Sequence, residues 1–258
     1  MPVLPDDSFA LPPDTTAYYA DYQDERSRLT TFFRLFTALP HFIFLALWGI
    51  AVFFAVIGAW FALLFTAKYP AGLYDFILKF QRYATRVSSY YVLITDKFPP
   101  FNGDAGEAYE AHLLVGPPLE KYSRWKVFFR SILYIPFYIV AYVLQIILQL
   151  AMVVAWFVIV ITGKQPRGLQ DALVFCQSYI TRLSVWYLLL TEDWPTKITD
   201  TSNLQHLAEK GYAGPAPTPS DDATPEAAAF EQAAPAQQEP PQPPPPPAPP
   251  TPPAPPAV

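Results

Sequence analysis

The sequence predicts an all-α fold: an integral membrane helical bundle of two tandem repeats with disordered N- and C-terminal tails. Two observations support this expectation. Residues 35–67 and 131–163 contain no Asp, Glu, Lys or Arg, and uncharged runs of this length are typical of membrane helices. A set of residues also recurs 96 positions later without a gap. Self-similarity at a fixed spacing indicates duplicated structural units, so each copy is expected to be one membrane unit.

The repeat relates residues 27–99 to residues 123–195. Its matched pairs include Ser27 and Ser123, Arg34 and Arg130, Pro40 and Pro136, Trp60 and Trp156, Lys68 and Lys164, Asp75 and Asp171, and Arg86 and Arg182. We therefore expect a disordered acidic tail at residues 1–25, repeat 1 at 26–101, a linker at 102–122, repeat 2 at 123–197, and a polar segment with a disordered proline-rich tail at 198–258.

Charge is distributed unevenly along the 258 residues, whose net charge is −5. Residues 26–212 hold all 17 basic residues against 11 acidic ones, so a basic body lies between acidic ends. Anionic lipid headgroups attract such a body, although the positive flanks of ordinary membrane segments give the same pattern. We expect membrane lipids as partners and no nucleic acid.

Most of the 31 prolines lie beyond Gly211, in a tail that ends in long proline runs. Such a tail favours an extended polyproline II conformation without a core. It either engages a polyproline-binding domain with an aromatic groove or serves as a solvated spacer.

Each repeat is expected to contain a short interfacial helix, a long apolar helix and a second, more polar helix. In repeat 1 the interfacial helix covers residues 28–34, and Pro40 starts or kinks the long helix, which ends near residue 66. The second helix has Asp75 in its first turn and runs to about Ile94, and its counterpart has Asp171 in its first turn and runs to about Leu190. The favoured topology has two membrane passes per copy. One pass per copy and a re-entrant hairpin, folded from each uncharged run, remain alternatives.

Several ordered motifs resemble a known family. They are Arg28-x5-Arg34-x5-Pro40, Trp60-Phe61, the run from Thr66 to Asp75, Thr85-Arg86-Val87-Ser88, and the run from Leu93 to Phe101. This set resembles the bacterial membrane-protein family named domain of unknown function 4389, in two tandem copies. Copy two departs at residues 191–196, which lack the second proline and the following phenylalanine. The resemblance implies a bacterial membrane protein and supplies no activity. We expect the protein to lie in the bacterial plasma membrane with several passes.

Ionisable residues recur in both copies and are the candidate structural or path-lining residues: Arg34, Asp75, Arg86, Asp96, Arg130, Asp171, Arg182 and Glu192. Charged groups inside a membrane are unfavourable, and those that persist often line a path for ions, protons or lipid phosphate. The plainer interpretation is that they form pairs that hold helices together.

No arrangement of residues predicts catalysis, a cofactor or a metal site. His41 and His112 have no second ligand at a suitable spacing, and Ser88 and Ser184 have no evident histidine partner. We therefore expect no enzyme activity but a scaffold or accessory subunit that packs with lipid, with other membrane proteins or as a homo-oligomer. The alternative is a small transporter or channel component that uses the intramembrane arginines and aspartates.

Overall fold

The computed structural model describes residues 13–104 and 109–195. The terminal segments lie outside the described residues. They include the proline-rich tail, for which a polyproline-binding partner is expected. Four helices and two short strands follow one another: β1 (Thr16–Ala20), α1 (Arg28–Thr66), α2 (Ala71–Tyr91), β2 (Ala111–Val115), α3 (Arg124–Thr162) and α4 (Arg167–Tyr187). The expectation of a mostly helical protein with two tandem units is confirmed.

The two long helices, α1 and α3, have 39 residues each. The Ser27 side chain caps the start of α1 by accepting a hydrogen bond from the Thr30 amide. Pro40 lies inside α1 without ending it. The separate interfacial helix and the re-entrant hairpin are therefore both wrong, because one unbroken helix covers each segment. The long helices end where Ala67 and Gly163 adopt the left-handed conformation.

The two short helices, α2 and α4, have 21 residues each, and Asp75 and Asp171 are the fifth residues, just after the first turn in which the sequence places them. Both helices end soon before Leu93 and Leu189, whose φ of 67° does not continue a helix. In the part of the chain that the structure describes, two helices are long and apolar enough to cross a membrane, and these are α1 and α3. The expectation of two membrane passes in each copy is not met by α2 and α4.

The strands correct two expectations, a disordered tail at residues 1–25 and an irregular linker at 102–122. β1 lies in the tail and β2 in the linker, and they form an antiparallel two-stranded sheet. Their register runs from Thr16 opposite Val115 to Ala20 opposite Ala111. The duplicated unit is therefore a strand followed by a long and a short helix.

The two repeats contact each other through the ends of their long helices. Arg28 donates to the carbonyl oxygen of Thr162, and Arg124 donates to that of Phe65, each at 3.0 Å. The start of each long helix therefore lies beside the end of the other, and α1 runs antiparallel to α3. Aromatic contacts show the same reciprocal pattern. The ring centre of Phe32 lies 5.9 Å from that of Trp156, and the ring centre of Phe128 lies 6.4 Å from that of Trp60. A pseudo-twofold axis relates the repeats.

The elements stack in three layers along this axis. The first layer is α1 beside α3; the second is α2 on α1 and α4 on α3; the third is the sheet, in which β1 contacts α4 and β2 contacts α2. Each strand thus covers the short helix of the other repeat. Core residues such as Leu63, Ile77, Leu148 and Leu173 lie between the first two layers. The outer surface of the first layer is exposed and apolar.

Gly163 supplies a first prediction. Its φ is +75°, and a Cβ there would lie 3.0 Å from Nε of Arg28. We expect Gly163→Ala to lower the free energy of unfolding by about 1–2 kcal/mol, because a left-handed alanine is strained and Arg28 must shift. Urea unfolding in mild detergent measures the change. Gly168→Ala is the matched control, since no atom lies within 4 Å of its new Cβ; equal losses in both variants would contradict the strain.

Candidate functional site

Arg34 closes the junction between the start of α1 and the end of α2. Its side chain is buried, and Nη1 donates to the carbonyl oxygens of Tyr90 and Thr95, each at 2.7 Å. Nη2 forms an ion pair with Asp96. The last carbonyls of a helix lack partners within the helix, and the helix dipole favours a cation beside them. Arg34 thus fastens the two helices of repeat 1 to each other.

Arg130 performs the same task in repeat 2. It is buried and donates to the carbonyl oxygen of Trp186 and, at 3.0 Å, to that of Thr191. Its guanidinium carbon also lies 4.6 Å from the centre of the Trp186 ring, a favourable cation–π geometry. The repeated arginine therefore serves repeated carbonyls at the end of a short helix.

The two repeated acids hold the starts of the long helices. Asp96 accepts a hydrogen bond from the amide of Ser27 at 2.9 Å, and Glu192 accepts one from the amide of Ser123 at 2.6 Å. A carboxylate suits a helix N-terminus. Glu192 also pairs with Lys126 at 3.3 Å. The two copies therefore differ, because the acid of repeat 1 pairs with the buried arginine and that of repeat 2 with a lysine.

Arg86 and Arg182 lie away from these junctions. Nη1 of Arg86 donates to Oδ1 of Asn102 at 3.1 Å, and Nη2 donates to the carbonyl oxygen of Asp104 at 2.6 Å. Arg86 therefore anchors the segment that follows α2. Burial lowers the pKa of Arg182 below its usual value, and the charge of Asp193 partly offsets the shift.

Asp75 and Asp171 lie exposed on the surfaces of α2 and α4. The eight candidate residues therefore do not form one row through the protein. Arg34, Asp96, Arg130 and Glu192 lie at junctions at opposite ends of the long-helix layer. Arg86 contacts the segment that follows α2, Arg182 is partly buried on α4, and Asp75 and Asp171 are surface carboxylates.

Uncharged polar side chains occupy the centre of the molecule, where α2 crosses α4. Nε2 of Gln177 donates to Oγ of Ser88 at 2.8 Å, and Oγ of Ser184 donates to Oε1 of Gln81 at 2.9 Å. These reciprocal bonds join the repeats across the pseudo-twofold axis. They border a cavity of about 370 Å³ that is also lined by Gln145 and other polar residues of α2, α3 and α4. Sequence reasoning missed Gln81 and Gln177, although the two obey the 96-residue spacing.

Two apolar grooves flank the long helices in pseudo-symmetric positions. One, of about 550 Å³, is lined by Trp60, Arg130 and neighbouring apolar residues. The other, of about 330 Å³, is lined by Trp156, Arg34 and neighbouring apolar residues. Each therefore lies between the start of one long helix and the end of the other. Their largely apolar walls suit a lipid acyl chain.

His41, His112 and Cys176 pack within the fold. Nδ1 of His41 lies 2.6 Å from the Tyr83 hydroxyl, and its ring stacks on Phe101. The ring of His112 stacks on that of Tyr19. Cys176 is buried. Across the described residues, no group of three or more His, Cys, Asp or Glu side chains is placed to hold a metal ion.

Arg34 gives the second prediction. We expect Arg34→Gln to lower the free energy of unfolding by about 3 kcal/mol or more, because it leaves Asp96, the helix-end carbonyl of Tyr90 and the carbonyl of Thr95 without their cation. Urea unfolding in detergent measures the loss. Arg28→Gln is the control, since Arg28 is exposed and donates to a helix-end carbonyl; we expect a loss below about 1 kcal/mol. Similar losses would argue against the junction.

His112 gives the third prediction, a pH dependence of stability. Burial, helped by the charge of Arg86, lowers the pKa of His112 from 6.5 to about 4. As the pH falls, His112 therefore binds a proton in the unfolded chain before it does so in the folded protein. The free energy of unfolding is highest above pH 6.5 and decreases towards pH 4, by about 3 kcal/mol in total. His112→Phe keeps the ring stacked on Tyr19 and removes the titrating group. If the difference in stability between variant and parent is independent of pH, the assignment is wrong.

Comparison with known proteins gives one match. The family described as Domain of unknown function (DUF4389) matches residues 28–102 and again residues 124–198. No curated protein and no solved structure matches the chain. The two matches begin at the first residues of α1 and α3, agree with the duplicated unit, and together cover more than half of the sequence. The chain therefore belongs to the DUF4389 family, of which it carries two tandem copies.

Proposed function

We propose that the protein is a non-enzymatic membrane scaffold or accessory subunit of the bacterial plasma membrane. The observation that carries this proposal is the outer surface of the long-helix layer. Large apolar side chains are exposed from Leu29 to Phe65 on α1 and from Trp125 to Ile161 on α3. A monomer in water rarely exposes so continuous an apolar surface. Lipid chains or the apolar helices of other membrane proteins are suitable partners, and so is a second copy of the chain.

The polar groups support a structural role. Arg34 and Arg130 bind helix-end carbonyls, Asp96 and Glu192 accept hydrogen bonds at helix starts, and Gln177 joins the two short helices to each other. These side chains are engaged inside the fold. What the protein offers to its surroundings is chiefly the apolar layer.

Two arrangements in the membrane would remove this apolar surface from water. In a multi-pass arrangement α1 and α3 cross the bilayer; in the other, they lie within one leaflet. Both bury the layer in hydrocarbon, so the membrane proposal is independent of the choice between them.

The fourth prediction tests the membrane proposal. Phe53 is 61% exposed on α1, and a lysine at the centre of the hydrocarbon is unfavourable by about 2.5–3.5 kcal/mol on insertion scales. We expect the parent to remain in the membrane pellet after carbonate extraction, and Phe53→Lys together with Phe54→Lys to lower the pelleted fraction at least tenfold.

Asp75→Lys is the control, because Asp75 is exposed on α2, in the second layer, and its retention should be unchanged. Full retention of the double variant would contradict burial of this surface. The second candidate function, a small transporter or channel component, is favoured by the cavity between α2 and α4, whose mostly apolar wall includes Gln81, Gln145 and Gln177. If liposomes that contain the protein conduct ions, and if Gln177→Leu abolishes this flux, the transporter or channel function replaces the scaffold function.

A further inference from the structure

We infer that the protein lies flat in the membrane, with α1 and α3 running in the plane of one leaflet. The inference rests on the membrane association proposed above and adds its geometry. The exposed apolar residues of α1 extend from Leu29 to Phe65, which is about 54 Å of helix. A hydrocarbon core is about 30 Å thick. A crossing helix would need a tilt of roughly 55° to bury this length, beyond the usual range of 0–40°.

An exposed ion pair lies level with the middle of the long helices. Lys79 pairs with Asp104 at 2.9 Å, and both side chains are about half exposed. The next residue, Phe80, packs on Trp48 near the midpoint of α1. A protein standing upright would therefore hold this pair at the centre of the bilayer, where charged groups are most unfavourable. A protein lying flat holds it beyond the lipid chains.

The sheet leads to the same orientation. The pseudo-twofold axis passes through its middle, between the pair Ala17–Leu114 and the pair Tyr18–Leu113, so the sheet too lies level with the midpoints of α1 and α3. Each strand of a two-stranded sheet has one edge without a strand partner. Hydrocarbon does not tolerate an open sheet edge, since its backbone groups need hydrogen bonds. In the flat orientation the sheet is the layer farthest from the lipid.

The symmetry of the molecule also fits a single leaflet. The axis runs from the sheet through the short helices to the long-helix layer, so a membrane perpendicular to it meets both repeats at equal depth. One layer of helices is about 10–12 Å thick, and half of a hydrocarbon core is about 15 Å. The first layer therefore fits within one leaflet, and the second lies near the headgroups.

Basic side chains surround the apolar layer at its ends. Arg28, Lys68, Arg124, Lys164 and Arg167 are exposed at the ends of the helices. In the flat orientation they lie around the rim of the layer, at the height of the headgroups, where long basic side chains can reach lipid phosphate. Lys164 also pairs with Asp24 at 3.7 Å, so the rim holds acidic as well as basic groups, and the phospholipid headgroups of one leaflet are the surface that this face fits.

Cysteine labelling in intact cells tests the orientation with the full-length chain. The background is Cys176→Ser, and single cysteines replace Lys68, Lys164, Lys79 and Phe53. Lys68 follows the end of α1 and Lys164 follows the end of α3, so they occupy opposite ends of the long-helix layer. A membrane-impermeant maleimide is applied before and after lysis. Retention of the parent's melting temperature in detergent shows that each variant folds.

A flat protein gives the cysteines at 68, 79 and 164 the same sidedness and protects the one at 53 until detergent dissolves the membrane. Opposite sidedness of 68 and 164, with 79 protected after lysis, overturns the flat orientation and leaves membrane association intact. Rapid labelling at 53 in a lysate without detergent overturns both proposals, because this surface would then face water.

Discussion

The reciprocal docking of the long helices is the interaction on which the rest of the structure depends. At each end an exposed arginine donates to one carbonyl of the other helix, Arg28 at Thr162 and Arg124 at Phe65, and each of these exposed bonds contributes little by itself. The backbone adds a matching pair, from the amide of Arg26 to Gly163 and from that of Tyr122 to Ala67. Helix ends supply carbonyls without intrahelical partners, so the contact needs only a donor at the right place. Once α1 and α3 are antiparallel, the strand that leads into each helix must pass over the other repeat.

The two copies keep this geometry while their side chains diverge. In repeat 1 the buried arginine has a carboxylate partner, and in repeat 2 that carboxylate pairs with Lys126. The carbonyl contacts of Arg34 and Arg130 are nevertheless the same. The ion pair is therefore not what positions the arginines, and the helix-end carbonyls are. Gly49 and Phe53 correspond to Gln145 and Gln149, so only the second copy brings amides from its long helix into the central cavity. A frame fixed by main-chain acceptors allows such divergence.

Much of the helical architecture could be predicted from the sequence, whereas the sheet and the polar centre could not. Uncharged runs and the Pro-x-Gly sequences that begin at Pro70 and Pro166 marked the helices and their turns. β1 and β2 are five residues each and lie more than 90 residues apart, so no local turn or long alternation revealed their pairing. Gln81 and Gln177, where α2 packs against α4, were missed because each is a single uncharged residue on an otherwise ordinary amphipathic helix. Their role depends on which helices meet, which the tertiary structure alone decides.

The long helices leave most of their apolar surface without a partner inside the protein. Buried residues of α1, such as Ala38, Val52, Ala59 and Leu63, form one narrow stripe, and small residues on that stripe allow α2 to approach closely. Of the most apolar 18-residue windows, 11% is buried in α1 and 22% in α3. Hydrophobic burial against the protein therefore accounts for a small part of these surfaces, and the remainder must be removed from water by other molecules. The internal hydrogen bonds fix the shape of the long-helix layer. In the membrane location proposed above, lipid chains supply the apolar contacts that the protein itself does not make.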